Sequence, residues 1–439
     1  MLALIGLLTI LSVVVLLLLG RASPLLALSL VPLAGALLAG FGLGEISGFF
    51  GDGLRRVMQV ATMFIFAITF FGVLQDAGLF RPLIRGLVAL TRGNVVAVTM
   101  GTAVIGMLAH LDGAGATTFL LTVPALLPLY RRLGMNPYLM LMMLATGAGI
   151  FNMMPWAGPL GRAAAVTGIE VTELWRPLIP VQAAGVVLLL ALAALLGLRE
   201  QRRIAAAGAG AGAAPGAAED AAAEAGAPSA AEAALERPHL LWANAALFLA
   251  VLATLVAGLL PAGYVFMLGL AVALLLNYRD PTLQMQRVAA HAPSALTMGI
   301  IILAAGSFLG IMDGTGMLKA MAEGLVQALP SGMVPVLHLL FGVVGLPMEL
   351  VLSTDAYYFG LLPIVLEIVT PHGVAPAEVV HALTIGNIIG TFISPFSPAL
   401  WLALGLAGAQ IGPHIRYSVL WMWGFSLLLM GAAALLGLF

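Results

Sequence analysis

The sequence predicts an all-α polytopic membrane protein made of two inverted repeats, each with five spans, a re-entrant hairpin and a broken helix. Three observations carry that prediction. Of 439 residues, 62% are hydrophobic and 8% are charged, more apolar surface than one water-soluble core can hide. Apolar runs long enough to cross a bilayer, about 20 residues as helix, recur at roughly 2–19, 25–43, 57–75, 177–198, 240–277, 293–312 and 417–437. The chain also echoes itself. Pro124, Pro137, Gly147 and Pro159 return 239 residues later, without a gap, as Pro363, Pro376, Gly386 and Pro398, and "GVLQDAGL" (Gly72 to Leu79) resembles "GIMDGTGM" (Gly310 to Met317).

The first apolar run lacks the positive leader of a cleavable signal, and its first basic residue, Arg21, follows it. It reads as a retained span with the N-terminus outside. The first repeat occupies 1–203 and the second 239–439. Between them, 204–238 changes character to an Ala/Gly/Pro/Glu tract ("AAAGAGAGAAPGAAED") that cannot bury a core and reads as a disordered cytoplasmic linker. Re-entrant hairpins are expected at about 95–131 and about 332–369, and broken helices at about 137–165 and about 376–407. Five crossings, an odd number, invert the second copy. Most of the eighteen Lys and Arg then face the cytoplasm, with Arg55, Arg56, Arg176 and Lys319 outside, as expected of a multi-pass protein of the cell (inner) membrane. A net charge of −1 gives no reason to expect a nucleic-acid partner, and the absence of cysteine excludes disulfides, thiolate metal sites and a Cys nucleophile.

Each hairpin has a polar turn. The first, in "MLAHLDGAGATTFLLTVPALLPLY", places Asp112 and Gly113 at the turn and Thr117 and Thr118 at the start of the return helix; the second places Ser353, Thr354 and Asp355 there. Irregular backbone at membrane depth survives only where protein or a water-filled cavity satisfies it, so each turn marks a candidate site, the alternative being an ordinary helix cap. Each hairpin is followed by a second interruption. "LATGAGIFNMMPWAGPLGRAA" and "LTIGNIIGTFISPFSPALWLA" reach Asn152 or Thr391 and break at Pro155 and Pro159 or Pro395 and Pro398. Discontinuous helices present free N–H groups and positive dipole ends that suit an anion, although proline kinks in purely structural helices have the same pattern.

Gly158, Asn387, Ser394 and Ser397 are further candidate contacts along these breaks. Arg162 either grips a carboxylate in bidentate fashion or snorkels to the outer interface. Trp156, Tyr357 and Tyr358 either line a cavity or pack in the core. His110 and Glu349 occupy equivalent positions in the two repeats and are candidate proton carriers, or else paired structural residues.

"LDGAGATTFLLTVPALLPLYRRLGM", "NMMPWAGPLGRAA" and "STDAYYFGLLPIV" resemble the signature segments of the metal-citrate:proton symporter family, part of the ion transporter superfamily. The resemblance implies a scaffold domain that often dimerises, giving a homodimer. It also implies a transport domain of hairpins and broken helices that moves as an elevator. The implied activity is proton-driven uptake of citrate complexed with a divalent cation, with no permanent cofactor. The chain departs from the pattern at Ala114, where another acid is expected, which leaves the choice of metal and of carboxylate open.

Elementary electrostatics bears on the same choice. A carboxylate ~4 Å from Asp112 or Asp355, at an effective dielectric of ~20, is repelled by about 4 kcal/mol, roughly a thousandfold in affinity. Bound Mg²⁺ or Ca²⁺ would make Asp112 and Asp355 hard oxygen ligands, and a proton would remove their charge. The first case is a metal-citrate carrier; the second is a proton-coupled carrier of another di- or tricarboxylate without metal. A channel would need a continuous polar pore, and a hydrolase a nucleophile beside a base, but neither HExxH nor GxSxG occurs. A passive scaffold would not need mirrored polar breaks.

Overall fold

The computed structural model describes residues 1–19, 21–82, 86, 91, 93–206, 230–330 and 332–439. Most of the 204–238 tract, expected to be a disordered linker, lies outside the described residues, as do Arg85 and Arg92, both expected to be cytoplasmic. Among the described residues every regular element is helical.

The chain opens with α1 (Leu2–Leu18), α2 (Pro24–Leu38) and the long α3 (Leu43–Asp76). A hairpin of α4 (Val95–Ala109) and α5 (Gly115–Arg132) follows, then an interrupted pair, α6 (Pro137–Phe151) and α7 (Gly158–Thr167), the short α8 (Val171–Trp175), and α9 (Leu178–Ala206). The second half has α10 (Leu241–Ala257), α11 (Ala262–Asn277), α12 (Pro281–Gly314) and α13 (Met317–Ala328). In its hairpin the first arm is split into α14 (Leu337–Val343) and α15 (Gly345–Glu349), and the return is a π-helical turn (Ala356–Leu361) running into α16 (Leu362–Val369). The interrupted pair α17 (Pro376–Ile388) and α18 (Pro398–Ala407) and the closing α19 (Ile411–Leu435) complete it.

Local sequence explains several boundaries. Ser23-Pro24, Asn136-Pro137 and Asp280-Pro281 each place a capping side chain before a proline at the first helical position. Their oxygens accept from the backbone N–H of Leu26 (3.4 Å), Tyr138 (2.9 Å) and Thr282 (2.9 Å). The apolar run 240–277 is two helices rather than one, because Gly258 ends α10 in the left-handed region (φ 62°) and Pro261 starts the next. Among the described residues five helices are long and apolar enough to cross a membrane, and several others are shorter apolar helices.

α3 and α12 are each 34 residues, about 50 Å of helix, and they lie antiparallel with their backbones nearly touching. A Cβ on Gly53 would sit 2.0 Å from the Gly306 carbonyl oxygen, and one on Gly310 would sit 2.2 Å from that of Phe49. At the other end Gly72 makes room for the His291 ring, 2.4 Å from where a Cβ would be. Charge closes each end of the pair. Arg56 faces Asp313 at 3.5 Å, and Asp76 meets His291 at 2.8 Å and Arg287 at 3.7 Å.

Matched glycines also seat each hairpin on the interrupted helix that follows it. In the first half, a Cβ on Gly106 would meet Leu144 Cα at 2.9 Å, and one on Gly147 the Ala103 carbonyl oxygen at 2.5 Å. Residues 239 positions later do the same. A Cβ on Gly345 would lie 2.7 Å from the Gly386 carbonyl carbon, and one on Gly386 1.9 Å from the Gly342 carbonyl oxygen. Only glycine allows so close an approach. Gly147 and Gly386 recur in the sequence for this reason.

Candidate functional site

Four segments meet: the two hairpin tips and the two helix breaks. Each tip leans on the break of its own half. In the first half Trp156 Nε1 donates to the Leu111 carbonyl at 2.8 Å, and the turn at Gly113 (φ 72°) lies against the Trp156 and Ala157 backbone. His110 joins Thr118 Oγ1 through Nδ1 at 2.9 Å and Asn152 Oδ1 through Nε2 at 3.3 Å. In the second half Glu349 is fully buried. Its two carboxylate oxygens accept from Thr354 Oγ1 at 2.6 Å and Asn387 Nδ2 at 2.5 Å, and its backbone carbonyl accepts from Ser394 Oγ at 2.7 Å. A buried carboxylate needs such donors to remain ionised in the protein interior.

Each tip also touches the break of the other half. α5 packs on α18, and α7 packs on the π-helical turn and α16. At the first crossing a Cβ on Gly115 would meet the Phe392 ring at 2.6 Å and Ala399 at 2.9 Å, and the His110 ring stands edge-on to Phe392, 5.0 Å between centroids. At the second, Arg162 Nε of α7 donates to Asp355 Oδ1 at 2.7 Å, with 9% and 14% of the two side chains exposed. Arg162 therefore does not snorkel to an interface. Its guanidinium folds back over the first turn of α7, where a Cβ at residue 158 would lie 2.6 Å from Nη1, so Gly158 is what leaves it space.

The other sequence candidates have defined places. Asp112 turns its oxygens inward on its own tip, accepting from the Ala114 N–H at 2.9 Å and from the Thr117 hydroxyl, while Thr117 also donates to the Ala114 carbonyl at 2.8 Å. Asp112 thus closes the turn that leads into the return helix, which has no side-chain cap of its own. At the second tip Ser353 accepts from the Ala356 N–H at 3.2 Å. Among the described residues the Thr391 hydroxyl and Asn387 Oδ1 are buried without a partner. Ser397 precedes α18 half-buried, without a capping bond from its side chain. Trp156 is 3% exposed and stacks among Phe71, Trp175 and Phe266, so it is core rather than a cavity wall. Tyr357 and Tyr358 are fully buried as well. Phe392, against both His110 and Gly115, escaped sequence reasoning, although its place one residue after Thr391 in the second break was a signal that could have found it.

Among the described residues no three His, Asp or Glu side chains converge as a metal cage. A cation arriving here would meet single carboxylates and must bring most of its oxygen ligands with it.

These features define a polytopic membrane transporter. The fold is that of the Alcanivorax borkumensis YdaH transporter, whose crystal structure was described as having an unusual topology: TM-score 0.58 at 18% identity, over 89% of this chain and 86% of that one. The chain belongs to the CitMHS citrate transporter family, which it matches over residues 1–386. It is 37% identical over 440 residues to a Bacillus subtilis (strain 168) protein named "Citrate transporter", covering 100% of this chain and 99% of the relative. It is also 36% identical over 436 residues to the "Mg(2+)/citrate complex secondary transporter" of the same organism, covering 99% and 98%. The chain is thus a transporter of this family, not an enzyme.

Proposed function

We propose that this protein takes up citrate complexed with Mg²⁺ or Ca²⁺ across the cell membrane, in symport with protons, by an elevator movement of its hairpins and broken helices. The observation that carries the reading is the crossed contact of tips and breaks, which joins a carboxylate, Asp355, to a guanidinium, Arg162, at 2.7 Å where the halves meet. A metal-citrate complex has both a cation for the first and carboxylates for the second. The donor set supports a travelling cation rather than a resident one, because isolated acids cannot supply the six or more oxygens such ions take. The Mg²⁺/citrate name of one relative points the same way.

Inverted repeats are supported by α3 and α12, which the sequence echo makes equivalent and which pack antiparallel through Gly53, Gly306 and Gly310. The N-terminus is then outside and the linker cytoplasmic. A homodimer through the scaffold helices α1–α3 and α10–α12 completes the arrangement. A cavity of about 360 Å³ between scaffold and mobile elements, lined by Arg56, Asp313, Glu367 and Pro376 among others, favours sliding at that boundary. The substrate set is Asp112, Gly113, Thr117, Thr118, Asn152, Gly158, Arg162, Ser353, Thr354, Asp355, Asn387, Thr391, Ser394 and Ser397, with Asp112 and Asp355 meeting the cation and His110 and Glu349 carrying protons. Counterflow of radiolabelled citrate into proteoliposomes tests it. Uptake is expected with Mg²⁺ or Ca²⁺, to vanish in chelator and to collapse with a protonophore; full uptake in chelator would favour a metal-free carboxylate carrier instead.

A further inference from the structure

Glu349 is fully buried, so a proton bound for its carboxylate needs a route through the protein. We propose that α17 supplies it: Glu378, His381 and Thr384, joined by Tyr358 of the π-helical turn, pass a proton from the Pro376 end of the helix to water held beside Asn387, which delivers it to Glu349. This rests on the reading of Glu349 as a proton carrier and on the topology that puts the Pro376 end outside.

The four residues of α17 stand at every third position, 378, 381, 384 and 387. Neighbours in that series are about 5–6 Å apart at Cβ, a gap that one water bridges. Glu378, at the mouth, is partly exposed, and the other three are buried. The equivalent helix of the first repeat, α6, is buried as deeply, yet 239 residues earlier it has Leu139, Met142, Ala145 and Ala148 at these places, and Phe119 stands where the second repeat has Tyr358. Packing therefore does not require polar groups here. In a membrane-embedded helix such groups are costly and mark ion pathways.

Hydrogen bonding points the same way. Buried helical threonines elsewhere, such as Thr102, Thr122 and Thr146, donate to the carbonyl four residues back at 2.7 or 2.8 Å. Thr384 does not: its hydroxyl faces that of Tyr358, and neither closes a hydrogen bond among the described residues. Asn387 gives its amide N–H to Glu349 and leaves Oδ1 without a partner there. Three buried oxygens thus lie open on the approach to one carboxylate, a setting that holds internal water. At the mouth Glu378 acts electrostatically on His381 and on His338 of α14. His381 Nε2 donates to the Leu174 carbonyl at 2.9 Å, which leaves Nδ1 as the nitrogen that takes the proton and hands it on. The hydroxyls of Thr384 and Tyr358 each accept a proton from one side as they release their own to the other, and Glu349 ends as the neutral acid. From α7, Arg162, held by Asp355, lies within electrostatic range of Glu349 and Tyr358.

Purified full-length protein in proteoliposomes tests the route, with Mg²⁺-citrate uptake driven by a pH gradient measured beside Mg²⁺-citrate exchange, in H₂O and in D₂O. His381→Gln and Thr384→Val are expected to slow gradient-driven uptake on the order of a hundredfold, while exchange, which moves no net proton, stays at the wild-type rate. The slowed uptake is expected to show a larger solvent isotope effect than wild type, and Thr384→Ser, which restores a hydroxyl, to recover both. Tyr358→Phe, the residue of the first repeat, gives the same readout without altering α17. Wild type without gradient-driven uptake would remove the proton reading itself. Wild type that couples, with the variants taking up substrate at its rate, would leave that reading standing and overturn the route. Equal loss of uptake and exchange in the variants would make these side chains structural and overturn it as well.

Discussion

Glu349 makes the most exacting prediction. Its carboxylate accepts from Thr354 Oγ1 (2.6 Å) and Asn387 Nδ2 (2.5 Å) in a fully buried position, while Asn387 Oδ1 has no partner among the described residues. An amide flip would turn that Oδ1 toward Glu349, so the same pair of residues can serve a carboxylate that accepts and a carboxylic acid that donates. Glu349→Gln preserves shape and both contacts in the flipped arrangement. It loses the charge-assisted part of two bonds, roughly 1 kcal/mol each, and recovers some desolvation, so its stability should stay within about 2 kcal/mol of wild type. Glu349→Ala leaves the buried Asn387 amide without an acceptor at about 1–3 kcal/mol, and the part-buried Thr354 hydroxyl at less, so the variant should be destabilised by at least that first amount. In proteoliposomes Glu349→Gln should therefore still exchange internal for external citrate but fail to accumulate it under a pH gradient, because exchange needs no net proton movement. Thermal unfolding in detergent checks the stability ordering. Accumulation by Glu349→Gln at the wild-type level would refute the proton role, and a Glu349→Ala variant as stable as wild type would refute the energetic reading of the network.

Two further outcomes follow from packing and topology. Gly53→Ala places a methyl group 2.0 Å from the Gly306 carbonyl oxygen, so α3 and α12 must separate by about an ångström at about 1–3 kcal/mol; Gly324→Ala, with nothing within 4 Å, should be neutral in the same thermal-unfolding experiment, and equal effects would contradict the close approach. The chain has no native cysteine, so Ala234→Cys and His372→Cys can be labelled without background: the first should react only from the cytoplasm and the second only from outside, and labelling of both from one side would eliminate the inverted arrangement.

What the sequence revealed depended on whether the determining interaction was local. The helix start near Pro137 was expected, the same cap-and-proline pair at Pro24 and Pro281 went unused, and the turn at Asp112–Gly113 was legible because polar residues interrupt an apolar run. The glycine contacts were half legible: Gly147 and Gly386 stood out beside matched prolines, while Gly106 and Gly345, at the same spacing, passed unnoticed among other small residues. The partner of Asp355 was not legible, because Arg162 lies 193 residues away and only the fold brings the two within 2.7 Å. Trp156 stayed ambiguous for the opposite reason. A tryptophan beside a proline break has the same local pattern whether it faces a cavity or, as here, packs on Phe71 and Phe266 and clamps the Leu111 carbonyl.

The two acids of the second tip illustrate how one short turn can serve two ions under the proposed reading. Both lie in low-dielectric surroundings, where a carboxylate must be neutralised by a proton, a cation or a fixed positive group. Glu349 is ringed by neutral donors from Thr354 and Asn387, has no salt-bridge partner among the described residues, and is sealed from solvent. Such a group can gain a proton without leaving a counter-ion stranded, and it has no oxygen free for a metal. Asp355 has the reverse setting: a fixed guanidinium, partial exposure at the tip and an oxygen that can change partners. Protonating it would strand Arg162, whereas giving it a cation while Arg162 receives a carboxylate strands nothing. The first tip is built differently, since His110 holds the position equivalent to Glu349 and Asp112 turns its oxygens to the Ala114 N–H and the Thr117 hydroxyl of its own turn. The two tips therefore differ in how their acids are partnered, and in the second Thr354, next to Asp355 in the chain, donates to Glu349.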